Sequence, residues 1–447
     1  MANIQLSDHF SVKKLLKFTT PSIIMVILYS SYILADGLFI SNCIGPTAYA
    51  AVNLVGNYIL LFPAIGMMLG SGGAALIGKL LGENRKDQAS DVFSAVVLFS
   101  VMLGIVLIPA VHFSVEPVMK AQGAEGALLG DCLEYGHIAA FTMLFYLVQS
   151  EFQYFFSMVE KEELGFVSAL ICGVLNISLD ALFIIVFDWG LTGAAIASLA
   201  GVVFGAVFPI LYFIRNKDLS VRLHFSKIRW KSIIKCSTNG ISEMINNLSV
   251  ALVGMLYNIQ LMRYSGEDAV AAYGAIQAVC LIFAGVFQGY AIGVTPVIAY
   301  QFGADNKKEL VNLIKKSMGI MLASGIIMLA ICQAFAGVFA GIFVGYDKRL
   351  AEMVIRGMRI YSSAFMLMSV NIFSSALYTA LNDGLRSGIL SLGRTFVFLV
   401  PSILILPVFL GLDGIWLAVC VAEILAFALF VVIFLVSRKN ATLKEHR

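Results

Sequence analysis

Asp36 stands in an apolar run, Pro21 to Ile40, that holds no other charged residue. A charge at the centre of a membrane helix costs about 2.5–3.5 kcal/mol on insertion scales, so it normally faces protein or a water-filled cavity and acts there. A second acid occurs in NISLDALFI (176–184), where Asn176 and Asp180 are four residues apart and share a helix face. Asp36 lies six residues before Asn42, and Asp180 seven before Phe187. At about 1.5 Å per residue, both acids sit roughly 10 Å inside the ends of their apolar runs. Tyr32, one turn before Asp36, adds a hydroxyl to that face. Two carboxylates and an amide offer sodium the hard oxygen ligands it prefers. The same pair, desolvated and mutually repelling, can instead hold a proton. The residue types support both chemistries. The plainer alternative is an aspartate held by hydrogen bonds or facing water at a helix end.

Further polar sets interrupt other apolar runs. QSEFQ (149–153) places Gln149 and Gln153 on one helix face and Glu151 on another. Both glutamines are candidates to line a cavity, with helix-to-helix hydrogen bonding as the competing explanation. ISEMINN (241–247) groups Glu243, Asn246 and Asn247 at helical spacing, which makes Glu243 and Asn247 candidates for binding a cationic substrate, with ion coupling as the alternative role for Glu243. Met244, Met255, Met366 and Met368 suit a pliant pocket, or simple packing. No phosphate-binding GxxxxGK[ST] motif and no His/Cys ligand spacing occurs, so the sequence carries no enzyme signature and implies no cofactor. The seven cysteines are scattered without CxxC spacing.

The elements that must position these residues are membrane helices. Of 447 residues, 60% are hydrophobic and 13% charged, against about 25% charged in soluble domains. With about 20 apolar residues needed per crossing, the runs predict twelve spans. They lie near 15–42, 52–78, 91–111, 135–159, 164–187, 192–214, 235–263, 272–300, 311–345, 356–381, 386–409 and 413–437. Met1–Thr20 is polar and basic, so the first span itself is expected to direct insertion. If the N-terminus is cytoplasmic, 24 of the 30 lysines and arginines fall on the cytoplasmic side, Arg386 and Arg394 among them. That asymmetry predicts both termini inside. The net charge of +3 is spread over loops and points to no nucleic-acid partner.

The chain also repeats itself. LIGKLLGENRKDQ (76–88) is echoed by VIAYQFGADNKKE (297–309), and the turn GLTG (190–193) by GLDG (411–414), both at a shift of 221 residues. The same shift pairs Gly45 with Gly266, Gly72 with Gly293, Gly104 with Gly325 and Gly136 with Gly357. Six spans per half is an even number, so the halves enter the membrane in the same sense, related by an axis along its normal. The expected organisation is a six-helix bundle over 1–214, a basic cytoplasmic linker over 215–234 and a second six-helix bundle over 235–447. A cleft between two such halves, exposed to one side at a time, is the architecture of a transporter.

LADGLFIS in span 1, GKLLGENRKDQA after span 2, NISLDALFI in span 5 and FDWGLTGAAIAS before span 6 resemble the multidrug and toxic compound extrusion (MATE) family, in its bacterial exporter branch. The resemblance covers essentially the whole chain. It implies an all-α fold of two six-helix bundles around a central cleft, and export of small-molecule drugs and dyes, mainly cationic, in exchange for a monovalent cation, Na+ or H+. It assigns Asp36, Asn176 and Asp180 to ion coupling, with Ser198 and Tyr32 completing the cluster, and it places Gln153 near the family's span 4 amide. Glu243 matches an acid that many relatives carry on span 7. An aspartate found on span 10 in some relatives is missing from 361–381, which favours the first half as the coupling centre. The expected setting is the cell inner membrane, with lipid around a monomer. The alternative within the same superfamily is a flippase for lipid-linked oligosaccharides or other amphiphiles, which would want a cationic cavity.

Overall fold

The computed structural model describes residues 4–216, 218–224, 229–345 and 347–445, and every regular element among them is helical. The first half comprises α1 (Val12–Cys43), α2 (Pro46–Ile59), α3 (Pro63–Gly82), α4 (Lys86–Ala121), α5 (Gly126–Ala139), α6 (Thr142–Met158), α7 (Glu162–Asp180) and α8 (Gly190–Arg215). A π-helical stretch, Ala181–Val186, follows α7. Two expected spans are broken in their middle. Span 2 is split into α2 and α3, with Pro63 opening α3, where its missing N–H and fixed φ suit a helix start. Span 4 is split into α5 and α6 around Ala140 and Phe141. Eleven helical stretches among the described residues are long and apolar enough to cross a membrane, and the two short helices α5 and α6 of the broken span 4 are not among them.

The second half comprises α9 (Trp230–Asn239), α10 (Ile241–Gly303), α11 (Lys307–Val344), α12 (Lys348–Tyr361), α13 (Phe365–Ala380), α14 (Gly384–Leu392), α15 (Val400–Leu410) and α16 (Leu412–Glu445). Gly266, with φ 72°, divides α10 into two crossings. A second π-helical stretch, Gly393–Leu399, joins α14 to α15. The chain near 235, expected to open span 7, belongs instead to the short amphipathic helix α9, whose Ile233 and Cys236 are buried in the core of the first half. Arg394, counted above among the loop cations, lies inside the π stretch of span 11, where it is ion-paired.

The halves meet along α3 and α10 through glycines. A Cβ on Gly82 would overlap the Tyr300 carbonyl, and one on Gly303 would overlap the Lys79 carbonyl. The 221-residue shift exchanges these two contacts, as a two-fold relation demands: equivalent residues face each other across the axis. Gly72 against Cys236, and Gly240 against Met68, are equally close. The Gly82 and Gly303 contacts lie at the end of α3 that carries Lys79, so the halves are closed on each other at this basic face, and the Gly72 and Gly240 contacts continue the seam further along α3.

The N-terminal segment crosses that seal. The Leu6 N–H donates to Glu160 Oε1 of the first half at 2.6 Å, while Gln301 Nε2 of the second half donates to the Leu6 carbonyl at 2.8 Å. Glu309 accepts from the Phe10 N–H at 2.9 Å and meets His9 Nδ1 at 2.6 Å, and Lys316 Nζ donates to the Phe10 carbonyl at 2.6 Å. Leu6, Phe10, Leu15 and Phe18 are buried in the core of the second half, although the chain runs on into α1. Outside the membrane, Lys14 bonds Asp8 and holds its carboxyl below the ordinary range. Phe10→Ala should cost about 3 kcal/mol, the low end for a fully buried phenylalanine. It should be read as a lower thermal unfolding midpoint in detergent; an unchanged midpoint would show that this segment does not dock in solution.

Candidate functional site

The first half encloses a cavity of about 260 Å³ lined from α1, α2, α5, α6, α7 and α8. Both helix breaks border it, at Ile59 and Leu60 and at Ala139 and Thr142. Irregular backbone at membrane depth is tolerated where it lines a cavity rather than lipid. Four tyrosines (Tyr32, Tyr49, Tyr135 and Tyr146) stand around Asp36 in its wall, with Asn53, Asn176 and Ser198.

Asp36 lines this cavity, and Asp180 lies behind it, near enough for the two carboxyls to influence each other. Asp180 is fully buried, at the point where α7 passes into the π stretch, a distortion often found at functional sites. Asn176, one turn earlier, donates to Ser198 Oγ at 3.4 Å. That leaves four buried oxygens (Asp36 Oδ1, both Oδ of Asp180 and Asn176 Oδ1) that receive no hydrogen bond from a described residue. Two carboxylates so placed cannot both stay charged without a cation or proton between them. Unsatisfied oxygens from three side chains fit a hard monovalent cation as well as they fit a proton.

The structure thus gathers Tyr32, Asp36, Asn176, Asp180 and Ser198 into one cluster, and it scatters the expected substrate residues. Gln149 sits beside the cavity, with Nε2 donating to the Tyr29 hydroxyl at 3.4 Å and approaching Cys172 Sγ at 3.6 Å. Gln153 is half-buried and does not line the cavity. Glu243 is buried between the halves, accepting from Gln288 Nε2 at 2.7 Å and lying near Tyr154 of the first half. Asn247 donates to the Glu243 carbonyl at 2.8 Å, a bond within one helix. Glu151, on its separate face, is fully buried and takes a hydrogen bond from Ser100.

Sequence reasoning missed Tyr135, Tyr146, Tyr49, Asn53 and Asn57. A signal existed for part of this set, because Tyr49, Asn53 and Asn57 recur every fourth residue in an apolar run. The repeat also explains why the cavity is confined to the first half. Under the 221-residue shift Asp36 corresponds to Tyr257, Val52 to Tyr273 and Ala195 to Trp416. In the second half these three aromatics stack, Tyr257 on Tyr273 with ring centroids 4.7 Å apart and Tyr273 on Trp416 at 6.3 Å. They fill the space that is open in the first half.

With that geometry in view, comparison with known proteins gives consistent results. The family model MatE matches residues 21–182 and 244–405, one stretch in each half. The multidrug export protein MepA of Staphylococcus saprophyticus is 23% identical over 432 residues, covering 95% of this chain and 93% of that protein. MepA of Staphylococcus aureus is 24% identical over the same length, again covering 95% and 93%. Among solved structures, a MATE protein in complex with MaL6 superposes with a TM-score of 0.92 at 22% identity, covering all of both chains. A multidrug resistance MATE family transporter of the MOP superfamily, in an outward-facing conformation, gives 0.91 at 22% identity over 100% of this chain and 99% of that one.

Proposed function

The chain belongs to the MatE family, and we propose that it is an inner-membrane antiporter exporting amphipathic, mainly cationic compounds in exchange for inward-moving Na+ or H+. The observation that carries this reading is the set of unpartnered buried oxygens on Asp36, Asp180 and Asn176 beside a tyrosine-lined cavity. Acid and aromatic faces together favour an organic cation, each cation–π contact adding about 0.5–2 kcal/mol. A cation or proton between the two carboxyls lets α1 and α7 pack closely. A cationic substrate competes for the same negative charge, so the two occupants exclude each other, as exchange requires. Only such a difference in affinity between states can shift the equilibrium. The basic face is the cytoplasmic one on this reading, from the excess of lysine and arginine there.

The relatives named multidrug export proteins support the substrate class. The flippase alternative is disfavoured by chemistry, since the cavity wall holds acid and no base, and Arg394 is bound elsewhere by Glu423. Inverted vesicles should accumulate a cationic dye when a sodium gradient or a pH gradient is imposed separately, and one gradient should suffice. Accumulation that responds to neither would overturn the antiport reading.

A further inference from the structure

The connection between the halves ends in α9, and the outward face of this helix has two unlike edges. Trp230 and Ile234, one turn apart, are 61% and 60% exposed. The Trp230 ring also leans edge-on against Phe99 of α4, with centroids 5.8 Å apart. Lys231 and Lys235, again one turn apart, are exposed beside them. At about 3.6 residues per turn, the apolar pair forms one edge of the exposed arc and the lysine pair the other. Neither lysine has an ion pair among the described residues. The basic residues just before the helix are engaged: Arg229 reaches Asp91 of α4 at 3.0 Å, and His224 meets the same carboxylate at 3.1 Å. Ile233 and Cys236 occupy the opposite face, in the core of the first half. Asn239 continues the lysine stripe by one more turn and crosses to the other half, its Nδ2 donating to the Thr379 carbonyl at 3.0 Å. A Cβ on Gly384, at the start of α14, would overlap the Thr238 carbonyl. The lysine edge therefore borders the seam between the halves.

We propose that α9 is a site for an anionic phospholipid, with the headgroup on Lys231 and Lys235 and the acyl chains along Trp230 and Ile234, and that this lipid favours closure at the basic face. An indole and a branched alkyl chain beside two ammonium groups match both ends of such a molecule. A soluble anion would match the lysines and leave the apolar edge uncovered. Each lysine close to an anionic membrane surface strengthens binding about fivefold. The pairs on Asp91 stitch the connection to α4, so α9 belongs mechanically to the first half. Separation of the halves at this face takes α13 and α14 away from it. Asn239 and Thr238 then lose their neighbours, and the lysine edge loses the wall that holds it in place. The seat is preorganised only in the closed conformer, which lowers the cost of binding there. A ligand with that difference in affinity shifts the equilibrium toward closure. The effect is independent of which ion drives export.

Tryptophan fluorescence reads the contact directly, since brominated acyl chains quench an indole that they touch. In nanodiscs of phosphatidylcholine holding increasing fractions of brominated phosphatidylglycerol, the quenching lost in Trp230→Phe belongs to Trp230 and leaves out Trp189 and Trp416. Brominated phosphatidylglycerol should quench that component at a mole fraction roughly fivefold or more below the one brominated phosphatidylcholine needs. Lys231→Gln/Lys235→Gln should bring the two lipids level, and Lys231→Arg/Lys235→Arg should keep the preference. Spin labels at Lys86 and Lys307 should show a larger short-distance population with phosphatidylglycerol than without it, and no such gain in the double glutamine variant. Equal quenching of the parent by the two lipids would overturn the site. A distance distribution indifferent to phosphatidylglycerol would overturn its effect on closure.

Discussion

Asp36→Asn yields a transporter that inserts, folds and elutes as the parent does, yet moves no substrate under either ion gradient. Asparagine keeps the size of the side chain and removes its charge and its titratable group. It also relieves the repulsion against Asp180. Stability should hold or rise, because an uncompensated buried charge is costly. Efflux should fall to the level of empty vesicles. Asp180→Asn should do the same, and the double variant should be no worse than either if both carboxyls serve one ion, as proposed. Vesicle transport beside thermal unfolding of the same preparations separates the outcomes. Efflux retained in Asp36→Asn would make this acid structural, and coupling would have to reside elsewhere.

Gly82→Val should be comparably severe for a different reason. The added side chain would collide with the Tyr300 carbonyl and the Gly303 backbone, neither of which can rotate aside. The halves cannot then close at the basic face, although each keeps its own core. The closed state is penalised by well over the roughly 5.5 kcal/mol that turns a 99:1 equilibrium around. Spin labels on the exposed positions Lys86 and Lys307, equivalent under the repeat, should report one long distance in place of the short one. Gly303→Val should behave alike, because its clash with Lys79 is the symmetric copy. An unaltered distance distribution would mean that this contact does not govern closure.

Much of this was legible in the residues. Uninterrupted apolar runs marked the spans because hydrocarbon tolerates little else. The depth of Asp36 and Asp180 followed from counting to the ends of their runs. The breaks at 60–62 and 140–141 were hidden, because no charge accompanies them and the cavity that makes them tolerable is a tertiary feature. Arg394 read as a loop cation because it lies eight residues from Arg386; only its partner on α16 allows it to sit inside the helix. The aromatic fill of the second half was implicit in the repeat, but reading it required knowing that Asp36, Val52 and Ala195 share one wall.

The N-terminal segment has a mechanical consequence. It continues without interruption into α1, the helix that bears Asp36, and among its anchors on the second half is Glu309 at the start of α11. A bend or axial slide of α1, driven by whatever occupies the two carboxyls, therefore pulls directly on the opposite half through a short strap, in addition to any force carried by the packed helices. The strap sets a minimum load for opening the basic face. Lengthening it by a few flexible residues between Phe10 and Val12 would leave every other contact in place and uncouple the stroke of α1 from the release of α11.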